Sequence, residues 1–247
     1  VDRRNTVSEL VVDGATAVLE DRNLGFYLFR AAMPLEPGAV LPMRWHLTRA
    51  HRGFTNADTD TELVGNGSYL AESFVPIAGY CRDCELRADR QRFGLPPAER
   101  LPVLGDEAHL DDLRAGTDAR TTFHLILGTD EDQIGVAPGE RRREWQSNGR
   151  RYVEYALSHP VWPLLTIQSA RYVVDRDTWR GVSLEVFHDP RHSWNARAML
   201  DTAKKGLELY SREFGPYGLP YYRIAEYARY RSNVQAGVGT IAYSEGS

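Results

Sequence analysis

Residues 196–227 read ARAMLDTAKKGLELYSREFGPYGLPYYRIAEY, and two periodicities meet inside them. Met199, Ala203, Leu207, Tyr210 and Phe214 fall 4, 4, 3 and 4 residues apart, which sets them on one face of a helix. Ser193 or Asn195 can cap its start, and Gly215-Pro216 stops it. YYRIAEY (221–227) and VGTIAYSE (238–245) then read as strands. Strands, then a helix, then strands again mark a β domain leading into a second unit. The expected boundary lies near Pro190. It leaves a β-sandwich over 1–190 and, over 191–247, a short α+β segment that opens another domain.

Upstream the period is mainly two, the mark of strands with one wet face. TVSELVV (6–12), ATAVLE (15–20) and LGFYLFRAA (24–32) are successive strands, with EDRN (20–23) as the turn between the last two. PLEPGA (34–39) is a break, after which LPMRWHLTRA (41–50) puts Met43, Trp45 and Leu47 on one face. Asn66-Gly67 and Asn148-Gly149 are hairpin signals, because both central positions of a type I′ turn need positive φ. RTTFHLILGT (120–129) aligns Phe123, Leu125 and Leu127, and PLLTIQSARYVV (163–174) and WRGVSLEVFH (179–188) continue the strands. Residues 80–119 differ: they are charged, proline-bearing and weakly periodic, and read as an insertion with one or two short helices.

Composition narrows the function. At 247 residues, 42% hydrophobic, the chain can bury a real core, and no apolar run approaches the ~20 residues of a bilayer span. Mean hydropathy of −0.46 is that of a soluble chain. A net charge of −4 and a pI near 6.0 argue against nucleic acid as a partner. The ERRRE cluster (140–144) has acids at both ends and reads as a solvated strand or loop rather than a polyanion site. Both ends look cut from a longer polypeptide, opening on VDRRNTVSELVV without a leader and closing on YSEG (243–246).

Metal and nucleophile motifs are sparse. Cys81 and Cys84 form a single C-x-x-C pair with no second pair, so a quiet loop pair outweighs a zinc or redox site. His188 and His192 in HDPRH have the i, i+4 spacing of metal ligands on a helix, but Pro190 between them forbids that helix. His46, His51, His109, His124 and His159 are scattered, with His124 among strand residues. No G-x-S-x-G elbow and no phosphate-binding loop occur. The aromatics of GPYGLPYY (215–222) read as packing of the helix end rather than a ligand site. No catalytic and no metal-binding residue is expected in the chain.

The helix-to-strand stretch resembles the opening of the catalytic domain in zinc aminopeptidases of the membrane alanyl aminopeptidase type, the gluzincins. Phe214, Gly215, Pro216 and Tyr217 match that family's aromatic-ended helix, and Gly239, Ile241, Tyr243 and Glu245 match its second strand. Residues 66–86 and 133–161 sit where the family's N-terminal β domain has hairpins. The GLPP insertion (94–97) and the YSEG ending are similar to a bacterial branch fused to an ABC-type permease. The resemblance implies a thermolysin-like domain whose H-E-x-x-H zinc motif lies beyond residue 247. Zinc is therefore a cofactor expected in the parent protein and not in this segment.

In the family's pattern a Gly-Ala-Met-Glu-Asn segment lines the substrate, and it falls on Asn233, Val234, Gln235, Ala236 and Gly237. The Glu that would clamp the substrate's free amine is thus Ala236, which cannot hold an ammonium. Gln235, Ala236, Gly237, Val238 and Gly239 are the expected substrate-binding residues, with edge pairing to an extended peptide as their mode. A plain turn and inner strand is the competing reading of the same five residues.

The expected function is the non-catalytic portion of a peptidase-like protein, walling the active-site cleft and lending it a strand. Its expected partners are the remainder of its own catalytic domain and a peptide. The alternative is a peptide- or partner-binding module of a membrane transporter with vestigial peptidase chemistry. Parent association with the membrane, and a periplasmic soluble domain, go with either reading. A carbohydrate-binding sandwich is a weaker third.

Overall fold

The structure is a computed structural model. It describes residues 1, 5–36, 39–49, 62–64, 67–70, 74–76, 87–97, 105, 107, 121–161, 165–227 and 234–245. Its strands are β1 (Thr6–Val12), β2 (Ala15–Asp21), β3 (Phe26–Ala31), β4 (Met43–Thr48), β5 (Leu63–Val64), β6 (Gly67–Leu70), β7 (Thr121–Asp130), β8 (Ile134–Val136), β9 (Glu140–Ser147) and β10 (Arg150–Val161). They continue with β11 (Ile167–Ala170), β12 (Val173–Trp179), β13 (Val182–His188), β14 (Tyr221–Tyr227), β15 (Val234–Gly237) and β16 (Thr240–Ser244). The helices are α1 (Arg87–Arg92) and α2 (Ala196–Phe214). The chain is mainly β, with antiparallel sheets first and one long helix late.

Turn chemistry sets the hairpins. Asp21 Oδ1 accepts the N–H groups of Asn23 and Leu24, closing the β2–β3 turn where EDRN predicts it. Asn148 and Gly149 have φ of 52° and 68°, the paired positive values of a type I′ turn, and join β9 to β10. β5 and β6 pair on either side of Asn66, which itself lies outside the described residues. So do Cys81, Cys84 and most of the expected 80–119 insertion, of which α1 is described.

Packing is layered. The sheet β7-β10-β9 faces the sheet β5-β6-β11-β8 across a core of Val153, Tyr155, Ala137 and Ile167, with Phe123, Leu125 and Leu127 from one face of β7 packed on it. The reverse face of the second sheet presents Tyr69 and Val136 to Phe187, Ala225, Tyr227 and Ala242. Those four belong to a third sheet of order β12-β13-β14-β16-β15, and α2 covers its far side. Strands β13 and β14 therefore carry side chains into a core on both faces and read as almost continuously buried.

β13, α2 and β14 form a β-α-β unit with β13 and β14 parallel, since parallel neighbours need a crossover. The third sheet draws β12 and β13 from before residue 190 and β14 to β16 from after it. The expected division near Pro190 thus falls within the connection between two neighbouring strands, because β13 pairs with β14 along its length.

Two features of α2 depart from expectation. Neither Ser193 nor Asn195 caps it: a 3-10 turn, Ser193–Asn195, leads in, and Asn195 has φ −101° and ψ −11° rather than the extended backbone a cap needs. The buried stripe is Ala196, Leu200 and Leu207 with Met199 and Ala203 beside it, whereas Tyr210 and Phe214 are exposed. Nineteen residues make a helix of about 28 Å, and the seven of β13 span about 23 Å. The last turn overhangs its sheet.

Candidate functional site

The five expected residues lie on the outermost strand of the third sheet and the turn that follows it. Among the described strands β15 pairs with β16 alone, in the register Val234 with Tyr243, Gln235 with Ala242, Ala236 with Ile241 and Gly237 with Thr240. Its other edge has no strand among the described residues, so alternate backbone groups face away from β16. The turn Val238-Gly239 closes the hairpin, which divides the expected strand 238–245 into a turn and β16.

Side-chain direction alternates along β15. Gln235 shares a face with Ala242, whose neighbours are Tyr69 and Tyr227. The Tyr69 hydroxyl donates to Gln235 Oε1, and the Tyr69 ring is buried and stacked on Tyr227 with centroids 4.0 Å apart. Val234 and Ala236 point to the opposite face, both exposed. Thr240 Oγ1, buried beside Gly237, has no hydrogen-bond partner in the described structure.

The turn is tied to the layer below. The Tyr221 hydroxyl accepts the Gly139 N–H at 2.7 Å and donates to the Val238 carbonyl at 3.3 Å. The Arg223 N–H donates to the Gly239 carbonyl. Arg223 then reaches across the interface: its Nη1 donates to the carbonyls of Ala137 and Gly139, and its Nε to Glu185 Oε2 at 3.1 Å. Glu185 also accepts from Arg141 at 2.7 Å and from Arg176 at 3.3 Å.

Burial works to raise the Glu185 pKa, but the charges of Arg141 and Arg223 outweigh it and hold the carboxyl below its usual range. Glu185 and Arg223 are 2% and 3% exposed, so this is a fully desolvated pair. Neighbouring Arg142 and Arg143 of ERRRE pair with Glu140 and Glu154, as the solvated-strand reading expects.

The FGPY segment is structural. Gly215, at φ 102°, ends α2, and the Tyr217 hydroxyl donates to the Tyr221 carbonyl, seating the chain at the start of β14. HDPRH forms the end of β13 and a turn. His188 is buried with Nε2 at 2.8 Å from Asp175 Oδ2, and His192 Nδ1 pairs with Glu226 Oε1. Glu226 also accepts the Asp189 N–H. A hollow of about 330 Å³ opens there, at the carboxyl ends of β14 and β16, lined in part by Tyr172, Asp189, Arg191, Glu226 and Glu245.

Burial and the charge of Glu226 raise the Glu245 pKa, while hydrogen bonds from Arg191 bring Asp189 down to about 2. Among the described residues no three His, Cys, Asp or Glu side chains converge as a metal site requires.

Tyr69, Tyr221, Arg223 and Glu185 are the supports that sequence reading passed over. Tyr69 stands 166 positions from Gln235, and nothing local marks it. Arg223 and Glu185 do leave a signal: Glu185 is the one carboxylate in VSLEVFH, and Arg223 shares YYRIAEY with Glu226 among apolar and aromatic neighbours.

No family model and no curated protein matches the sequence. Among solved structures the chain is similar to the crystal structure of an M1 zinc metallopeptidase from Deinococcus radiodurans, with a TM-score of 0.60 and 15% identity. The match covers 98% of this chain and 51% of that one, so the chain spans about half of the neighbour's length. At 15% identity the likeness is one of fold alone.

Proposed function

We propose that this chain is the cleft-framing, non-catalytic portion of a zinc-peptidase-like protein, in which β15 offers its open edge to an extended peptide. The carrying observation is the position of β15: among the described residues it is the terminal strand of its sheet, in a chain whose fold is similar to about half of a metallopeptidase. The Arg223–Glu185 clamp and the Tyr221 bridge support the reading, because they fix the β15–β16 hairpin against the β layers. A substrate strand needs such a rigid seat.

Zinc and bond cleavage belong to the parent protein on this reading, as does the linkage to an ABC-type permease. Among the described residues no helix is long and apolar enough to cross a membrane. Ala236, which has no charge to hold an amine, favours a second reading in which the parent binds peptides without cutting them.

The test is a titration of the 247-residue chain with an extended hexapeptide, followed by amide shifts. Shifts confined to 234–237 and their β16 neighbours are expected, with no hydrolysis and no stoichiometric zinc. Shifts elsewhere, or one tightly held zinc per chain, would overturn it.

A further inference from the structure

Among the described strands the third sheet ends in two open edges, β12 on one side and β15 on the other. Three consecutive residues of β12 are charged, Asp175, Arg176 and Asp177, and charges along an edge discourage another strand from adding to it. β15 is Val234, Gln235, Ala236 and Gly237, with no charge and no proline. One edge is guarded and the other is not.

Backbone hydrogen bonds decide which residues of β15 meet an added strand. The Gly239 carbonyl accepts from the Arg223 N–H, and the Glu245 N–H donates to the Tyr227 carbonyl, so odd-numbered residues along β16 turn their backbone groups to β14. Thr240 and Ala242 turn theirs to β15, where they face Gly237 and Gln235. The N–H and C=O groups of Val234 and Ala236 are left pointing outward. A strand added in either direction bonds to those two residues.

Its side chains continue the rows that they join. Residues opposite Val234 and Ala236 extend the rows Tyr243–Val234 and Ile241–Ala236. Ile241 and Tyr243 pack against the core beneath α2, while Val234 is 62% exposed. That face is apolar to its last strand and uncovered there. The residue between the two projects to the opposite face, beside Gln235, and meets no such apolar row.

Resting on the reading of β15 as a peptide-binding edge, we infer that the segment it takes is uncharged and alternating. Apolar side chains, β-branched ones above all, stand opposite Val234 and Ala236, with a polar residue between them.

The test uses the 247-residue chain and three N-acetylated, C-terminally labelled pentapeptides, compared by fluorescence anisotropy. Their sequences are Ser-Val-Ser-Val-Ser and the same with both valines replaced by Asp or by Lys. The valine peptide should bind about tenfold tighter than either charged one, the combined effect of two apolar cross-strand pairs. Opposite charges in the two controls separate this effect from attraction to the chain's net charge of −4. With Val234→Asp the lysine peptide should overtake the valine peptide, because the new carboxylate stands in the row that the lysines join. Circular dichroism confirms folding, and Ala236→Asp, also at an exposed position, repeats the test on the second row.

Equal binding of the three, tighter binding of a charged peptide to the unaltered chain, or an order that both Asp variants leave unchanged would overturn the inference while keeping β15 as a binding edge. Failure of all three peptides to bind would overturn the binding edge itself, and the inference with it.

Discussion

Gly239 is held at φ +63°, and a Cβ there would stand 2.5 Å from Tyr221 Cε2 and 2.9 Å from Leu219 Cδ1. Two penalties combine, a left-handed backbone and a collision with a ring that is itself bonded to Gly139 and Val238. Gly149 isolates the first of them, with φ +68° and nothing within 4 Å of a Cβ. Gly149→Ala should therefore cost about 1 kcal/mol, and Gly239→Ala about 2–4 kcal/mol once overpacking is added. Urea midpoints at unchanged m separate the two, and equal losses would mean that the Tyr221 contact carries no strain.

Arg223 gives the second comparison at this scale. Arg223→Met leaves Glu185 buried with only Arg141 and Arg176, and should cost about 3–5 kcal/mol. The double change Arg223→Met with Glu185→Leu should recover much of that loss, because a well-packed apolar pair can replace a buried ion pair at little net cost. A double variant no better than the single one would show that the carbonyl bonds to Ala137 and Gly139, not the ion pair, hold the clamp.

At the scale of elements, α2 divides into a packed length and an overhang. Leu200 is 2% exposed inside the cluster of Val182, Leu184 and Val186, whereas Phe214 is 82% exposed. Leu200→Ala should cost about 2–5 kcal/mol, and Phe214→Ala should stay within about 0.5 kcal/mol. Thermal or urea unfolding checks both, and a large loss at Phe214 would mean that the last turn is covered in solution.

The same helix shows what a sequence reveals at this scale. Its length, its Gly-Pro stop and the burial of Met199, Ala203 and Leu207 follow from local spacing, as does the Asn148-Gly149 hairpin from turn chemistry. Tyr210 and Phe214 continue the helical pattern, but their burial depends on where a neighbouring sheet ends, and no local spacing encodes that. The edge position of β15 is likewise non-local. β14 pairs with β16 rather than with β15, and four residues of modest hydrophobicity cannot announce which strand is outermost. Tyr69 is hidden for the same reason, being joined to Gln235 only through the stacking of two sheets.

Across the whole molecule, sheets and helix are laid face to face, and among the described residues the buried charges Glu185, Arg223 and Glu226 all stand on the third sheet. The acid limb of stability should report this. The folded pKa of Glu185 is lowered by Arg141 and Arg223 against the opposing effect of burial, and that of Asp189 falls to about 2 through Arg191. A carboxyl depressed in the folded state contributes stability that is complete above its unfolded pKa, about 4, and is lost as pH falls through the folded value. Glu245 has the opposite sign: its folded pKa is raised, so its contribution is present below the unfolded pKa and lost as pH rises through the folded one.

Stability should therefore hold up in weak acid, where Glu245 gains its proton, and fall below pH ~4 as Glu185 and Asp189 gain theirs. Urea unfolding from pH 7 to pH 2.5 measures the curve. Asp189→Asn should flatten its lowest part, and Glu185→Gln, though destabilising at pH 7, should reduce the slope below pH ~4. A wild-type curve level from pH 5 to 2.5, or variants that keep its full slope, would show that Glu185 and Asp189 do not set the acid limb.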